Sequence, residues 1–297
     1  MHPSLDHRLL VVTGKGGVGK STIATALAAA SAGQGLRTLL CEVNATERTT
    51  HLLGKPQVGP TVTLVEENLW VVNLRPQEAL REYALMKLKF ESIYDAVFQN
   101  RLVHAFLRFV PSLQELVLLG KLLFHVNEKR RDGSWRFERV VVDAPATGHA
   151  ITFLSVPQVI LDTVPPGALA NDVRWMRDLL VDPVTTAAVL VSLPEALPVT
   201  ETLELAEALR ERVHVTPSVV VLNAAVAPRF DEASLAALPP ALAEVARAHA
   251  ARAERTRTSA AQLAVLGLPV VEVPRLSGED FGRGAIDAVV KALEAAP

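Results

Sequence analysis

The sequence predicts an α/β fold, in which a mostly parallel, doubly wound sheet carries helices on both of its faces. Short runs rich in Val, Leu and Ile recur along the 297 residues, and helical stretches separate most of these runs. Most of the runs are apolar at consecutive positions, which is typical of strands covered on both faces. The strand–helix alternation implies right-handed crossovers and therefore a parallel sheet.

Each element can be placed from this pattern. The predicted strands are residues 9–13, 38–43, 69–74, 140–143, 187–192, 218–223 and 269–273. The predicted helices are residues 20–34, 200–212, 241–266 and 285–295. Gly35 supports the end of the first helix, because glycine commonly follows the last helical residue.

Two stretches interrupt the alternation of strands and helices. Residues 75–131 have helical patterning without a strand-like run, and residues 151–182 also lack one. We expect a single domain over residues 1–297 that carries a helical subdomain joined to one face of the sheet. The main candidate for this subdomain is an insertion at about 75–131, and residues 151–182 are a second candidate.

Composition and charge narrow the class of protein. With 49% apolar and 21% charged residues, the chain is expected to bury a sizeable core. A net charge of −2 does not indicate a basic nucleic-acid-binding surface, so no nucleic-acid partner is expected. Cys41 is the only cysteine, which excludes an intramolecular disulfide and a multi-cysteine zinc site. Neither the polar residues 1–8 nor the charge-bearing residues 102–126 read as a membrane segment, and we expect a cytoplasmic protein.

The strongest motif is a P-loop between the first predicted strand and the first predicted helix. Residues 14–21 read Gly-Lys-Gly-Gly-Val-Gly-Lys-Ser, which is Gly, four residues, then Gly-Lys-Ser. The glycines let backbone amides turn toward phosphates, and Lys20 supplies a charge to the β- and γ-phosphates. Ser21 is a candidate Mg²⁺ ligand, and Thr22 offers a further hydroxyl to phosphate. A glycine-rich turn without a ligand is the alternative, but it would not require Lys and Ser at these positions.

A second motif ends the predicted strand at residues 140–143. An apolar strand that closes on Asp143 is the Walker B arrangement, in which the carboxylate holds the Mg²⁺ shell. The segment that begins at Asp143 reads Asp-x-Pro-x-Thr-Gly-His and ends at His149. Without the P-loop upstream, Asp143 would be read as a strand end followed by turn-forming residues.

The P-loop also carries an extra lysine, Lys15, which completes the pattern Lys-Gly-Gly-x-Gly-Lys-Ser. This pattern resembles the deviant Walker A ATPases, a family that includes MinD, ParA, the nitrogenase iron protein and the arsenical-pump ATPases. The resemblance implies that Lys15 reaches across a face-to-face dimer to the partner's nucleotide. A solvated loop lysine is the alternative interpretation of Lys15.

Other segments narrow the resemblance to the arsenical-pump ATPases and the tail-anchored-protein-targeting ATPases. Residues 143–149 are similar to that family's Asp-Thr-Ala-Pro-Thr-Gly-His segment, and further matching segments include Phe153-Leu154, Pro194-Glu195 and Glu201-Thr202. The resemblance implies that Asn223 reads the adenine edge and that Pro274 belongs to a loop framing the base. The predicted ATP-binding residues are therefore Gly14, Gly16, Gly17, Val18, Gly19, Lys20, Ser21, Thr22, Asn223 and Pro274. The predicted metal ligands are Ser21 and Asp143.

Departures from that family concern metal binding and hydrolysis. A metalloid site of several cysteines and a Cys-x-x-Cys zinc clasp are both excluded by the single cysteine. The switch region after the second strand reads Glu42-Val43-Asn44, where the family often has an acidic residue, any residue and Asp. Asn44 cannot polarise water as a carboxylate does, so hydrolysis is expected to be slow, to use Glu42 or Glu47, or to depend on another subunit. The predicted catalytic residues are Lys15, Lys20, Glu42 and Asn44.

The leading hypothesis is an ATP-switched ATPase that forms a homodimer, or a heterodimer with a related ATPase, and handles a protein or membrane partner. Its predicted client surface is residues 75–131, with ten Lys/Arg against six Asp/Glu. The apolar side chains expected there are Leu102, Val103, Phe106, Leu107, Phe109, Leu116, Leu118, Leu119, Leu122, Leu123 and Phe124. Ordinary core packing is the alternative for these side chains. Alternative functions are a MinD/ParA-like positioning ATPase and a weakly hydrolysing regulatory subunit of a mixed dimer.

Overall fold

The computed structural model describes residues 2–43, 48–88, 113–276 and 281–295. Its strands are β1 (Leu9–Gly14), β2 (Thr38–Val43), β3 (Thr63–Glu66), β4 (Leu69–Leu74), β5 (Arg139–Asp143), β6 (Thr186–Ser192), β7 (Pro217–Ala225) and β8 (Val270–Pro274). Its helices, numbered over the described ranges, are α1 (Lys20–Gly33), α2 (Thr49–Leu52), α3 (Pro76–Leu88), α4 (Leu113–Asn127), α5 (Thr147–Leu161), α6 (Ala168–Val181), α7 (Ala196–Ala208), α8 (Glu232–Ala236), α9 (Pro240–Ala264) and α10 (Arg283–Ala295).

The strands form one sheet in the order β3-β4-β2-β5-β1-β6-β7-β8. All neighbouring strands are parallel except β3, which pairs with β4 antiparallel. The predicted fold class, a mostly parallel doubly wound sheet, is confirmed. In this order β1 lies between β5 and β6, so the carboxyl ends of β1 and β5 meet at one edge of the sheet.

Burial explains why the strands could be read from the sequence. Every residue of β1, β2, β5 and β6 is buried, so both faces of these strands require apolar side chains. The edge strand β8 instead alternates between buried and exposed positions. β3 was not predicted, because its four residues are half-buried or exposed at the other edge and form no continuous apolar run.

Helices cover the sheet from both sides. On one face, α1 and α10 pack in a core with alternate residues of the strands, such as Leu10 and Val12. On the other face, side chains from α3 to α7 pack in a second core with Leu9 and Val11. The described helices of the two interrupting stretches, α3 to α6, therefore lie against a single face. The interpretation of residues 75–131 as an inserted subdomain stays a prediction.

Part of the predicted client surface is core. Of the apolar side chains named for it, those of α4 that are buried against the sheet are Leu116, Leu118, Leu119, Leu122 and Leu123. The interpretation of these five as an exposed surface is wrong, because α4 turns them toward β4 and β5. Phe124, by contrast, is 53% exposed. The remaining residues, Leu102, Val103, Phe106, Leu107 and Phe109, lie outside the described residues.

The helix boundaries differ from the predicted ones mainly at α7. This helix begins at Ala196 rather than 200 and tolerates Pro198 in its first turn, where the missing amide would have no helical partner. Beyond Ala208 the chain continues as a π-helical turn, Leu209–Val213, which His214 closes with φ +58°. α1 ends at Gly33, and Gly35 follows in the left-handed region at φ +86°. No helix of the described ranges is both long and apolar enough to cross a membrane.

Candidate functional site

The P-loop connects the end of β1 to the first turn of α1. Its glycines meet two different requirements. A Cβ on Gly14 would lie 2.3 Å from the backbone oxygen of Val191, so only glycine allows β1 and β6 to approach this closely. Gly17 and Gly19 have φ of +86° and +94°, a region that residues with a Cβ rarely adopt. Gly19 is also the N-cap of α1, so this conformation turns the chain into the helix.

Lys20 is the first residue of α1, and it lies at the helix end where the backbone amides have no helical partner. Its Nζ donates a hydrogen bond of 3.0 Å to the backbone oxygen of Lys15, which folds the side chain back over the loop. Burial lowers the pKa of Lys20, an effect that Asp143 opposes and Arg48 reinforces. A cation held at a helix N-terminus beside turned-in amides is suited to bind phosphate.

Ser21 and Asp143 bring the P-loop and the Walker B strand together. Asp143 ends β5, which is in register with β1 at Val12, and the Ser21 hydroxyl donates to Asp143 Oδ2 at 2.6 Å. Burial raises the pKa of Asp143 to about 6, although the Ser21 hydrogen bond and the Lys20 charge both act to lower it. A hydroxyl and a carboxylate oxygen in contact form a set of hard donors, which fits Mg²⁺.

Glu42 is fully buried at the end of β2, directly opposite Asp143 in the strand register. Its Oε1 accepts hydrogen bonds from the backbone amides of Arg48 and Thr49, at 2.8 and 3.1 Å. Glu42 thereby ties the start of α2 to the sheet, and its charge contributes to the raised pKa of Asp143. Asn44 and Glu47, the other predicted switch residues, lie outside the described residues.

Asn223 reaches the P-loop from β7. Its Nδ2 donates to the backbone oxygen of Val18 at 2.9 Å, and its Oδ1 accepts from the amide of Ala224 at 2.9 Å. The side chain therefore braces the loop, a role that sequence reasoning did not identify. Pro274 ends β8 in an exposed position opposite Ala225, and it does not line the cavity beside the P-loop. The base-binding roles of Asn223 and Pro274 stay predictions.

Lys15 forms an ion pair with a residue of its own chain. Its Nζ lies 2.6 Å from Oε1 of Glu201, in the second turn of α7. The two side chains are 26% and 28% exposed, so the pair lies at the surface beside the P-loop. The sequence singled out Glu201 only as part of a matching segment, and no local signal indicated Lys15 as its partner.

An open cavity of about 600 Å³ extends from the P-loop. The residues lining it are Gly17, Gly19, Lys20, Ser21, Thr22, Arg48, Thr50, His51, Leu52, Lys55, Pro56, Gln57 and Phe281. Sequence reasoning missed most of the wall formed by residues 48–57. The available signal was the series of basic residues after β2, namely Arg48, His51 and Lys55. Phe281, 47% exposed, adds an aromatic wall that nothing in the sequence marked.

His149 belongs to the same segment as Asp143, and Cys41 belongs to the same strand as Glu42. His149, in the first turn of α5, is exposed, whereas Asp143 is buried. Cys41 is buried within β2, and burial raises the pKa of its thiol. Across the part of the chain that the structure describes, no group of three His, Cys, Asp or Glu side chains could hold a metal ion by itself.

Several known proteins are similar to this chain over much of its length. A model of the anion-transporting ATPase family matches residues 7–165, more than half of the chain. ATPase BagA of Mycobacterium tuberculosis is 32% identical over 221 residues, which are 72% of this chain and 64% of BagA. The arsenical pump-driving ATPase of Escherichia coli is 29% identical over 222 residues, 73% of this chain and 35% of that protein. The matched part of this chain thus spans less than two thirds of either relative.

Proposed function

We propose, since this chain belongs to the anion-transporting ATPase family, that it binds ATP with Mg²⁺ and hydrolyses it slowly as a dimer. The resemblance of the sequence to that family is confirmed at the family level. The observation that carries the proposal is the contact between Ser21 and Asp143, which joins the first turn of α1 to the end of β5 at 2.6 Å. This contact supports the proposal because it brings together a helix and a strand that lie far apart in the sequence and that a phosphate-and-metal site would combine.

The loop supplies the groups that bind phosphate. Gly14, Gly17 and Gly19 give the loop its turns through their positive φ, and the first amides of α1 add the positive end of the helix. Lys20 adds a full charge, and its hydrogen bond to the Lys15 oxygen is one that the phosphates of ATP would replace. Thr22 lines the same cavity and offers a hydroxyl.

Ser21 and Asp143 would hold the Mg²⁺. When bound, the ion would neutralise the charge that develops on the β- and γ-phosphates during transfer. Because burial raises the pKa of Asp143 to about 6, its carboxylate is ionised at neutral pH but is poorly stabilised by the protein alone. A carboxylate of this kind gains from a cation, and Ser21 positions it by donating to one of its oxygens.

Hydrolysis also requires a side chain that orients the attacking water. The switch region, Glu42-Val43-Asn44, offers few side chains that can do this. Glu42 accepts two backbone amides through Oε1 and anchors α2, so this oxygen already has a structural role. Asn44 replaces the carboxylate expected two residues later. We therefore infer slow turnover by the chain alone, with a second subunit as one source of a faster reaction.

The dimer and a protein or membrane partner are the finer parts of the proposal. Lys15 lies at the surface beside the P-loop, the position from which it would reach a partner's nucleotide. The stretch 75–131 has a net charge of +4 from ten Lys/Arg and six Asp/Glu, and Phe124 is exposed within it. An exposed aromatic in a stretch with an excess of positive charge suits an apolar helix or an anionic membrane surface. Cytoplasmic localisation belongs to the same proposal.

Calorimetry of ATP binding with and without Mg²⁺ tests the central part of the proposal. Lys20→Ala should weaken ATP binding by about ten-fold or more, because one charge-assisted contact to phosphate is lost. Lys291→Ala, which removes an equal charge from the exposed side of α10, is the matched control and should bind as the wild type does. Equal ATP affinity in the wild type and Lys20→Ala would refute the assignment of the P-loop.

A further inference from the structure

We infer that Glu201 holds Lys15 within its own protomer and that this ion pair opposes the contact of Lys15 with a partner's nucleotide. The inference rests on the proposed function, because it assumes that Lys15 acts across a dimer. Glu201 is then a residue that sets the threshold for ATP-dependent dimer closure. It acts on Lys15 and need not touch ATP.

The geometry separates the side chain of Lys15 from its backbone. Its carbonyl oxygen accepts the Lys20 Nζ at 3.0 Å, which keeps the Lys15 main chain within the P-loop. Its own Nζ extends the other way to Glu201, at 2.6 Å. The ammonium group can therefore leave Glu201 by rotating its side chain, while the loop keeps its conformation.

Glu201 is held in place by α7, which follows β6 directly. Thr202, the next residue, is buried, and its hydroxyl donates to the Pro198 oxygen at 2.7 Å. β6 pairs with β1 up to Gly14, so the strands that precede Lys15 and α7 lie side by side. The Lys15–Glu201 contact thus joins two rigid parts of one chain, across 186 positions of sequence.

The ion pair competes with a phosphate contact because both use the same ammonium group. A lysine whose charge is balanced by Glu201 presents a weaker positive field to a second anion. Both side chains are about one quarter exposed, so water screens the pair and its effect is moderate. We expect each ion pair to weaken ATP-dependent dimerisation by about three-fold. For a symmetric dimer the effect is about ten-fold, because two identical pairs must open.

The experiment is sedimentation of the full chain with Mg²⁺ and a non-hydrolysable ATP analogue over a range of protein concentrations. Glu201→Gln should lower the concentration at which half the protein is dimeric by about ten-fold. Glu204→Gln is the control. It removes an exposed charge about one helical turn further along α7 and should leave that concentration unchanged. The double variant Lys15→Ala with Glu201→Gln should show no gain over Lys15→Ala alone, since the effect acts through Lys15.

A second measurement reports the pair directly, without ATP. Limited acetylation followed by mass spectrometry should label Lys15 faster in Glu201→Gln than in the wild type, with the exposed Lys291 as internal reference. Equal labelling of Lys15 in the two proteins would overturn the inference.

The sedimentation outcomes also separate the inference from the proposed function. If the wild type forms a dimer that depends on Lys15, but Glu201→Gln dimerises equally or less well, the inference fails and the proposed dimer stands. A weaker dimer in that variant would mean that Glu201 supports Lys15 in the closed state. If the wild type binds ATP yet stays monomeric at every concentration, the dimer and the inference fail together.

Discussion

Replacing Asp143 with Asn should stabilise the protein in the absence of divalent cations. The pKa of Asp143 rises from an ordinary 3.8 to about 6, mainly because the carboxylate is buried. A rise of this size means that the ionised carboxylate lowers the free energy of unfolding by about 3 kcal/mol. The asparagine amide carries no charge to desolvate, and its oxygen can still accept the hydrogen bond of Ser21. It also removes the repulsion from Glu42.

The pH dependence has a defined sign. Below pH 3.8 the carboxyl is protonated in both the folded and the unfolded chain, so the two proteins should differ little. Between pH 3.8 and about 6 the unfolded chain has released its proton while the folded chain retains it, and wild-type stability falls as the pH rises. The advantage of Asp143→Asn should grow through this window and level off at about 3 kcal/mol above it.

Urea unfolding at 25 °C in EDTA, from pH 4 to pH 8, would measure this difference. Asp132→Asn is the control, because Asp132 is exposed and its hydrogen bonds from Ser134 lower its pKa. That variant should bring no stabilisation above pH 6. If Asp143→Asn is less stable than the wild type at pH 7.5, or differs by the same amount at every pH, the electrostatic reasoning is wrong. The same variant should lose the stabilisation that Mg²⁺ with ATP gives the wild type.

Three further predictions address the loop, the switch and the client surface. Gly19→Ala should lower the free energy of unfolding by about 1–2 kcal/mol, because its φ is +94° and its Cβ would displace Asn223. Gly16→Ala, with no atom within 4 Å of its Cβ, should change stability little, and equal losses in urea titrations would contradict the strain argument. Asn44→Asp should raise single-turnover hydrolysis about ten-fold or more, an expectation that brisk wild-type turnover would rule out. Phe124→Ser should abolish association with anionic liposomes or an apolar peptide at unchanged ATP affinity, and unfolding of this variant would favour core packing instead.

The central strands and the P-loop could be predicted because each depends on residues that are adjacent in the sequence. A strand covered on both faces is mostly apolar at consecutive positions, and β2 was predicted with the observed bounds for this reason, although it includes the buried Glu42. The P-loop is likewise local, since its turn, its glycines and the helix after it occupy one short segment. Edge strands are harder to predict, because a strand at an exposed edge needs no continuous apolar run. For this reason β3 was not predicted.

The composition of the site was determined by the sequence, whereas its contacts were decided by the strand order of the sheet. Asp143 meets Ser21, and Asn223 meets Val18, because β1, β5 and β7 end at the same edge, across 122 and 205 positions of sequence. The local sequence does not determine which carboxylate forms an ion pair with a surface lysine. Only the packing of α7 after β6 places Glu201 beside Lys15. Side-chain pairing over such separations depends on the free energy of the whole fold, so the residue types could be read from the sequence while their partners required the tertiary structure.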